Sequence, residues 1–291
     1  MARTLLSFGH GYSAAALARV LIPQGWRVIG TTRDRARLAD IAATGVEPVL
    51  WPEGFGDTLQ QATDLLVSAE PGPEGDALLA AKATEIAARA GQFGWVGYLS
   101  TTGVYGNRDG GTVDEDSDLR PGSPRTVARV AAEQAWRAVP GLPVHVFRLA
   151  GIYGPGRGPF AKLRNGTARR IIKPGQMFSR IHVDDIARVL AASIARPDPG
   201  RIYNVCDDEP APPEVVTEHA ARLLGLPPPP AEDFATAEMT PMARSFYLDS
   251  RRVLNRRIHD ELGVTLAYPT WREGLAAILA AENSAPGVER A

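Results

Sequence analysis

Cysteine is almost absent from this chain of 291 residues: Cys206 stands alone, so no internal disulfide can form and no cysteine-rich metal site is expected. A reducing, cytoplasmic setting is the natural expectation. Lysine is scarce as well, confined to Lys82, Lys162 and Lys173, and arginine supplies the remaining positive charge. The 32 basic residues are balanced by 33 acidic ones, and a net charge of -1 speaks against a general nucleic-acid binder. No apolar run approaches the roughly 18 residues of a membrane helix. The short run Thr4 to Phe8 near the start is interrupted by Gly9 and Gly11, which makes a poor signal peptide.

What is present is a regular alternation of short apolar runs with helix-favouring segments. Strands are predicted at residues 4–8, 26–32, 46–51, 64–69, 95–100 and 144–149, and helices at 13–22, 33–44, 76–90, 125–138 and 184–195. Strands that alternate with helices build a parallel sheet covered on both faces. The expectation is an α/β fold, a Rossmann doubly wound parallel sheet in residues 1–150, with a further strand at 201–206 completing it. From residue 151 the alternation weakens, and residues 151–291 read as a smaller, discontinuous substrate-binding lobe that includes the stiff Pro227–Pro230 run.

The first strand runs into Gly9-His10-Gly11-Tyr12-Ser13-Ala14 and then a helix. Such a turn lets backbone amides and the positive helix end face a pyrophosphate, with glycine where a side chain would block the approach. Gly9, Gly11, Tyr12 and Ser13 are therefore candidate dinucleotide contacts. At the end of the second strand, where an acidic residue would select NAD, the chain has Thr32 and Arg33. A hydroxyl followed by a guanidinium suits a 2'-phosphate, so NADP is favoured over NAD; the alternative is that Arg33, Arg35 and Arg37 decorate a solvated helix start.

Four segments stand in order along the chain: Tyr98-Leu99-Ser100-Thr101-Thr102-Gly103-Val104-Tyr105-Gly106, the stretch Arg148 to Gly156, Arg180-Ile181-His182-Val183-Asp184-Asp185-Ile186-Ala187, and Arg201-Ile202-Tyr203-Asn204-Val205. Together they resemble the extended short-chain dehydrogenase/reductase family of NAD(P)-dependent sugar epimerases and dehydratases. The resemblance implies a Tyr-x-x-x-Lys pair on the helix after the fifth strand, assisted by an upstream serine or threonine. Thr101 matches the latter, but Arg125 and Arg129 stand at the tyrosine and lysine positions. Arginine keeps its proton and cannot act as a base. The resemblance therefore implies an atypical member: Arg129 donating to ribose, Thr101 to substrate, and Tyr105 either substituting as proton donor or packing against substrate. Two guanidiniums one helical turn apart repel unless an anion lies between them, or else both are solvated.

Ser68 and Ala69 end the fourth strand at the expected crevice and are read as cofactor contacts, beside an exposed Glu70. Arg157, Arg180 and Arg244 are candidates for an anionic group of substrate, with Arg125 and Tyr105. The acidic run Asp114-Glu115-Asp116 is read as solvated or locally paired. His182-Val183-Asp184-Asp185 is read as a helix start capped by aspartate, and no metal is expected. Two functions follow: an NADP-dependent oxidoreductase or epimerase-like enzyme on a small hydroxylated or nucleotide-sugar-like substrate, or a non-catalytic NADP(H) sensor that supports a partner. No nucleic-acid or membrane partner is expected, and the resemblance implies a homodimer.

Overall fold

A computed structural model describes residues 3–284. Seven parallel strands form one sheet in the order β11-β7-β5-β4-β1-β2-β3. They are β1 (Thr4–Phe8), β2 (Arg27–Thr32), β3 (Glu47–Leu50), β4 (Asp64–Val67), β5 (Trp95–Thr101), β7 (Val144–Leu149) and β11 (Ile202–Val205). The strand order runs outward in both directions from the β1–β4 pair, where Phe8 lies opposite Val67. Ligands of open α/β sheets bind beyond the carboxyl ends of strands at such a reversal.

Helices α1 (Tyr12–Leu21), α2 (Leu38–Ala42), α3 (Ala77–Ala88), α4 (Pro124–Arg137) and α6 (Val183–Ala195) accompany the sheet. Because successive strand residues point to opposite faces, β1 feeds two cores. Leu5 packs with Leu17, Leu66, Phe147 and Ile186 on one face, while Leu6 and Phe8 pack with Leu65, Val96, Tyr98 and Trp136 on the other. The helix predicted over 33–44 is present but shorter: it opens with a tight turn, Arg35–Arg37, and continues as α2. Asp34 caps that turn by accepting from the Ala36 amide at 3.0 Å, a local competitor to regular helix.

The remaining elements are β6 (Thr112–Val113), β8 (Gly151–Tyr153), α5 (Phe160–Arg164), β9 (Arg170–Ile172), β10 (Arg180–His182), α7 (Pro213–Leu223), β12 (Ala231–Asp233), α8 (Pro241–Ser245), β13 (Arg252–Val253), α9 (Arg256–Asp260) and α10 (Trp271–Ser284). Their short strands pair two by two, β10 with β8, β12 with β9 and β13 with β6. A separate core of Tyr153, Phe160, Val216, Trp271, Leu275 and Ile278 holds part of this lobe together. No helix among the described residues is long and apolar enough to cross a membrane.

One buried polar network ties β5, β7 and β11 to α4. Arg148 on β7 forms a two-pronged pair with Glu133 on α4, Nη2 to Oε2 at 2.8 Å and Nε to Oε1 at 3.2 Å. The Ser100 hydroxyl donates to the same carboxylate. Arg148 Nη1 reaches the Tyr105 hydroxyl at 2.9 Å, which in turn donates to Asn204 Oδ1 on β11 at 2.7 Å. The Asn204 amide donates to Glu115 at 2.8 Å, so the middle of the acidic run is buried and structural, not solvated. Neutralising one partner of a buried pair leaves the other charge uncompensated, at about 3–5 kcal/mol. Glu133→Gln is therefore expected to lose about 3 kcal/mol in urea unfolding, whereas Glu47→Gln, which breaks the exposed pair with Arg27, should lose less than about 1 kcal/mol. Equal small losses would contradict this assignment.

Candidate functional site

The turn between β1 and α1 separates two cavities. Gly9 sits at φ 82°, and a Cβ there would come within 2.7 Å of the Ala69 backbone nitrogen, so the ends of β1 and β4 approach each other only with glycine at this place. The turn is braced from three sides. Its Gly9 amide donates to Thr31 Oγ1 at 2.8 Å, the Ser68 hydroxyl donates to the Gly9 carbonyl at 2.5 Å, and the His10 amide donates to the Thr31 carbonyl at 2.8 Å. With the Gly11 amide also bonded, to Gly9, the amides of residues 9–11 are spent on the fold. The donors left for an anion are those of Tyr12, Ser13 and Ala14, ahead of the first helical bond from Ala15 to Gly11. No side chain caps this helix start and no acidic residue occupies its first turn, so its positive end is uncompensated.

His10 is buried beside Ser7, and burial, reinforced by the Arg37 charge, lowers its pKa to about 4. It is a neutral structural residue, and its ring fills the space that a side chain at residue 30 would need.

On one side of the turn lies a cavity of about 390 Å³ lined by Thr31, Thr32, Arg33, Asp34, Arg37, Trp51, Ala69 and Glu70. Thr32 is buried and its hydroxyl accepts from the Asp34 amide at 3.1 Å, which fixes the strand end from which Arg33 projects. Arg37 donates to the His10 carbonyl at 3.3 Å and shares the lining with Arg33. The sequence offered Arg37 only within the alternative of a solvated helix start; the tight turn at 35–37 brings it back toward the glycine turn.

On the other side lies a cleft of about 470 Å³ that collects Gly9, Gly11, Tyr12, Ser13, Ser68, Thr101, Arg125, Arg129 and Arg157. The fold brings these expected residues together. Ser123 and Thr126 form a reciprocal capping box that starts α4, with Pro124 at its first position. Arg125 and Arg129 fall one turn apart on the face toward the cleft. Arg129 is anchored by Nη1 to the Leu99 carbonyl at 2.9 Å, whereas Arg125 is exposed and lies 5.3 Å over the Phe246 ring. Thr101 accepts from the Gly103 amide at 3.1 Å. From α1, the Tyr12 hydroxyl donates to the Pro155 carbonyl at 2.8 Å, and Arg157 lies over its ring. Tyr12 thus links the glycine turn to the second lobe.

Three expected contacts lie elsewhere. Tyr105 is fully buried within the polar network, away from the cleft, and desolvation raises its hydroxyl pKa to about 12 despite the neighbouring Arg148. It is neither proton donor nor substrate contact, because the turn Thr102–Tyr105 folds it back against β11. Arg180 is also outside the cleft, donating to the Phe178 and Ala211 carbonyls, with burial lowering its pKa to about 10. Arg244 bonds the Phe234 and Ala237 carbonyls. At the start of α6 the cap is His182, not aspartate: its Nδ1 accepts from the Asp184 amide at 3.2 Å, and burial lowers the ring's pKa against the pull of Asp184 and Asp185. Asp185 instead accepts from the Ala267 and Tyr268 amides. Arg251, Phe246 and Leu248 line the cleft without any sequence signal, since the lobe that carries them lacks regular periodicity.

Residues 74–206 match the NAD dependent epimerase/dehydratase family. A solved structure of a functionally unknown conserved protein from Silicibacter pomeroyi is 61% identical, covers 97% of this chain and 100% of its own, and superposes with a TM-score of 0.93. Protein YeeZ of Escherichia coli is 28% identical over 90% of this chain and 94% of its own length. The human epimerase family protein SDR39U1, solved with NADPH, shares the fold at 18% identity and a TM-score of 0.75 over 96% of this chain and 99% of its own. Relatives solved with NAD share it comparably. The chain thus shares the fold of proteins solved with NADPH and with NAD, and its glycine turn with the uncapped helix end fits a dinucleotide pyrophosphate.

Gly9→Ala is expected to weaken dinucleotide binding at least tenfold, about 1.4 kcal/mol, in a fluorescence titration; unchanged affinity would mean that the turn does not hold the ligand. The His10 pKa of about 4 lies below the unfolded value of 6.5, so the unfolded chain takes up the proton first as pH falls. The stability from neutral His10 is complete above pH 6.5 and is lost as pH falls toward 4. Urea unfolding of a His10→Asn variant should therefore vary less over this window than that of the native chain, by up to about 3 kcal/mol.

Proposed function

We propose that this protein is an NADP(H)-dependent oxidoreductase of the epimerase/dehydratase type, acting on a small substrate that carries a hydroxyl or carbonyl. The observation that carries the cofactor preference is the pair of guanidiniums, Arg33 and Arg37, on the wall of the 390 Å³ cavity at the end of β2. Planar, fixed-charge donors suit a 2'-phosphate. The amides of Tyr12 to Ala14 would hold the pyrophosphate, and Thr101 and Arg129 line the side where nicotinamide and substrate would meet. Bound there, the nicotinamide supplies hydride transfer. Thr101 orients a substrate oxygen, Arg125 holds an anionic group, and proton exchange falls to ordered water, because the cleft-facing positions on α4 carry arginine.

That same pair of arginines favours a second reading, a non-catalytic NADP(H) sensor. A cytoplasmic setting fits the lone, buried Cys206, and a homodimer through the alanine-rich outer faces of α3 and α4, including Ala80, Ala87, Ala131 and Ala135, completes the proposal.

Binding of NADPH and NADH should be followed by tryptophan fluorescence, with turnover screened on small ketones, alcohols and sugar nucleotides. Arg33→Asp is expected to weaken NADPH by more than tenfold and NADH by less than threefold, a difference of about 1 kcal/mol or more. Equal effects on both would sink the NADP preference. NADPH binding without turnover on any substrate would select the sensor.

A further inference from the structure

The larger cleft is lopsided in charge. Arg125, Arg129, Arg157 and Arg251 line it against the carboxylates Glu70 and Asp249, and Asp249 is already paired with Arg251 at 3.1 Å. Arg125 has no ion-pair partner among the described residues, and its guanidinium faces the Phe246 ring.

Its polarity is equally uneven. Five large apolar side chains are exposed among the described residues. Phe246, 45% exposed, and Leu248, 60% exposed, stand on the cleft wall, and Met242 lies on α8 just before them. Leu99, Leu149, Ile152 and Phe178 continue the apolar lining inward. Apolar groups left in water are unfavourable, and a ligand that covers them recovers that cost. The uncharged polar side chains at the same wall already have partners. Ser100 donates to Glu133, Thr101 accepts from the Gly103 amide, and Ser123 and Thr126 cap each other. A polyhydroxylated ligand would find its hydrogen-bonding partners largely engaged, whereas a free cation and exposed rings lie side by side.

We propose that this cleft takes an amphipathic organic anion, with a carboxylate or phosphate head against Arg125 and an apolar or aromatic body against Phe246 and Leu248, in preference to a nucleotide sugar. The proposal rests on the oxidoreductase reading of the same cleft and narrows its substrate class.

Calorimetric titrations of the full chain, free and loaded with NADP, test it with 4-phenylbutyrate, phenyl phosphate, glucose 6-phosphate and UDP-glucose. At least one phenyl anion is expected to bind tenfold or more tightly than either sugar, and the tighter of the two identifies the head group. Arg125→Ala should cut that affinity at least tenfold. Phe246→Ala should cut it about fivefold while leaving inorganic phosphate unaffected. Both side chains are exposed, and thermal melts unchanged from the native chain would confirm that the variants fold. Sugars that bind as tightly as the phenyl anions, absence of phenyl-anion binding, or indifference to both substitutions would overturn the proposal. Failure to bind NADP(H), by contrast, removes the oxidoreductase reading, while NADP(H) binding with a preference for sugars removes only this inference.

Discussion

The ends of β1 and β4 meet at Gly9 and Ala69, so close that one added carbon would overlap the neighbouring backbone. The sheet order reverses at this pair, and the chain leaving β1 must turn at once into α1. A crevice opens on either side of the turn, one toward the end of β2 and one toward α4 and the second lobe. The hydroxyls of Thr31 and Ser68 fix the turn from the two neighbouring strands. With the turn's own amides consumed, the first amides of α1 are left for a ligand, and the contact that shapes the fold also shapes the anion site.

The Glu133–Arg148 pair plays the corresponding part on the other half of the sheet. Two charges taken out of water require nearly complete hydrogen bonding, and Ser100, Tyr105 and Asn204 supply it. This draws Tyr105 inward and engages Ser100, so two residues whose positions in the sequence look chemical become parts of the scaffold. Arg125 and Thr101 remain at the cleft. The chain keeps the frame of the epimerase/dehydratase-like fold while charge, not a titratable hydroxyl, faces the cleft from α4.

The strands, their parallel pairing and the glycine turn were legible in the sequence because they rest on local rules: apolar runs of strand length, glycine where the backbone is crowded, Ser123 and Pro124 at a helix start. The helix expected over 33–44 is shorter, because Asp34 satisfies the backbone locally and tightens its first turn. That tightening brings Arg37 to the cavity, which periodicity could not show.

By itself the sequence determined an α/β dinucleotide fold, the turn at Gly9 to Ala14, and a pair of arginines one turn apart on α4, since each depends on neighbours close in the chain. Only the tertiary structure decided which polar residues face a ligand. Tyr105, Arg180 and Arg244 were claimed by buried or backbone partners, and Glu115 was taken inward by Asn204. Phe246, Leu248 and Arg251 were delivered to the cleft from over a hundred residues away in sequence. The reason is physical: a polar side chain goes wherever its hydrogen bonds are completed, and its partners come from strands and loops that the chain brings together only on folding.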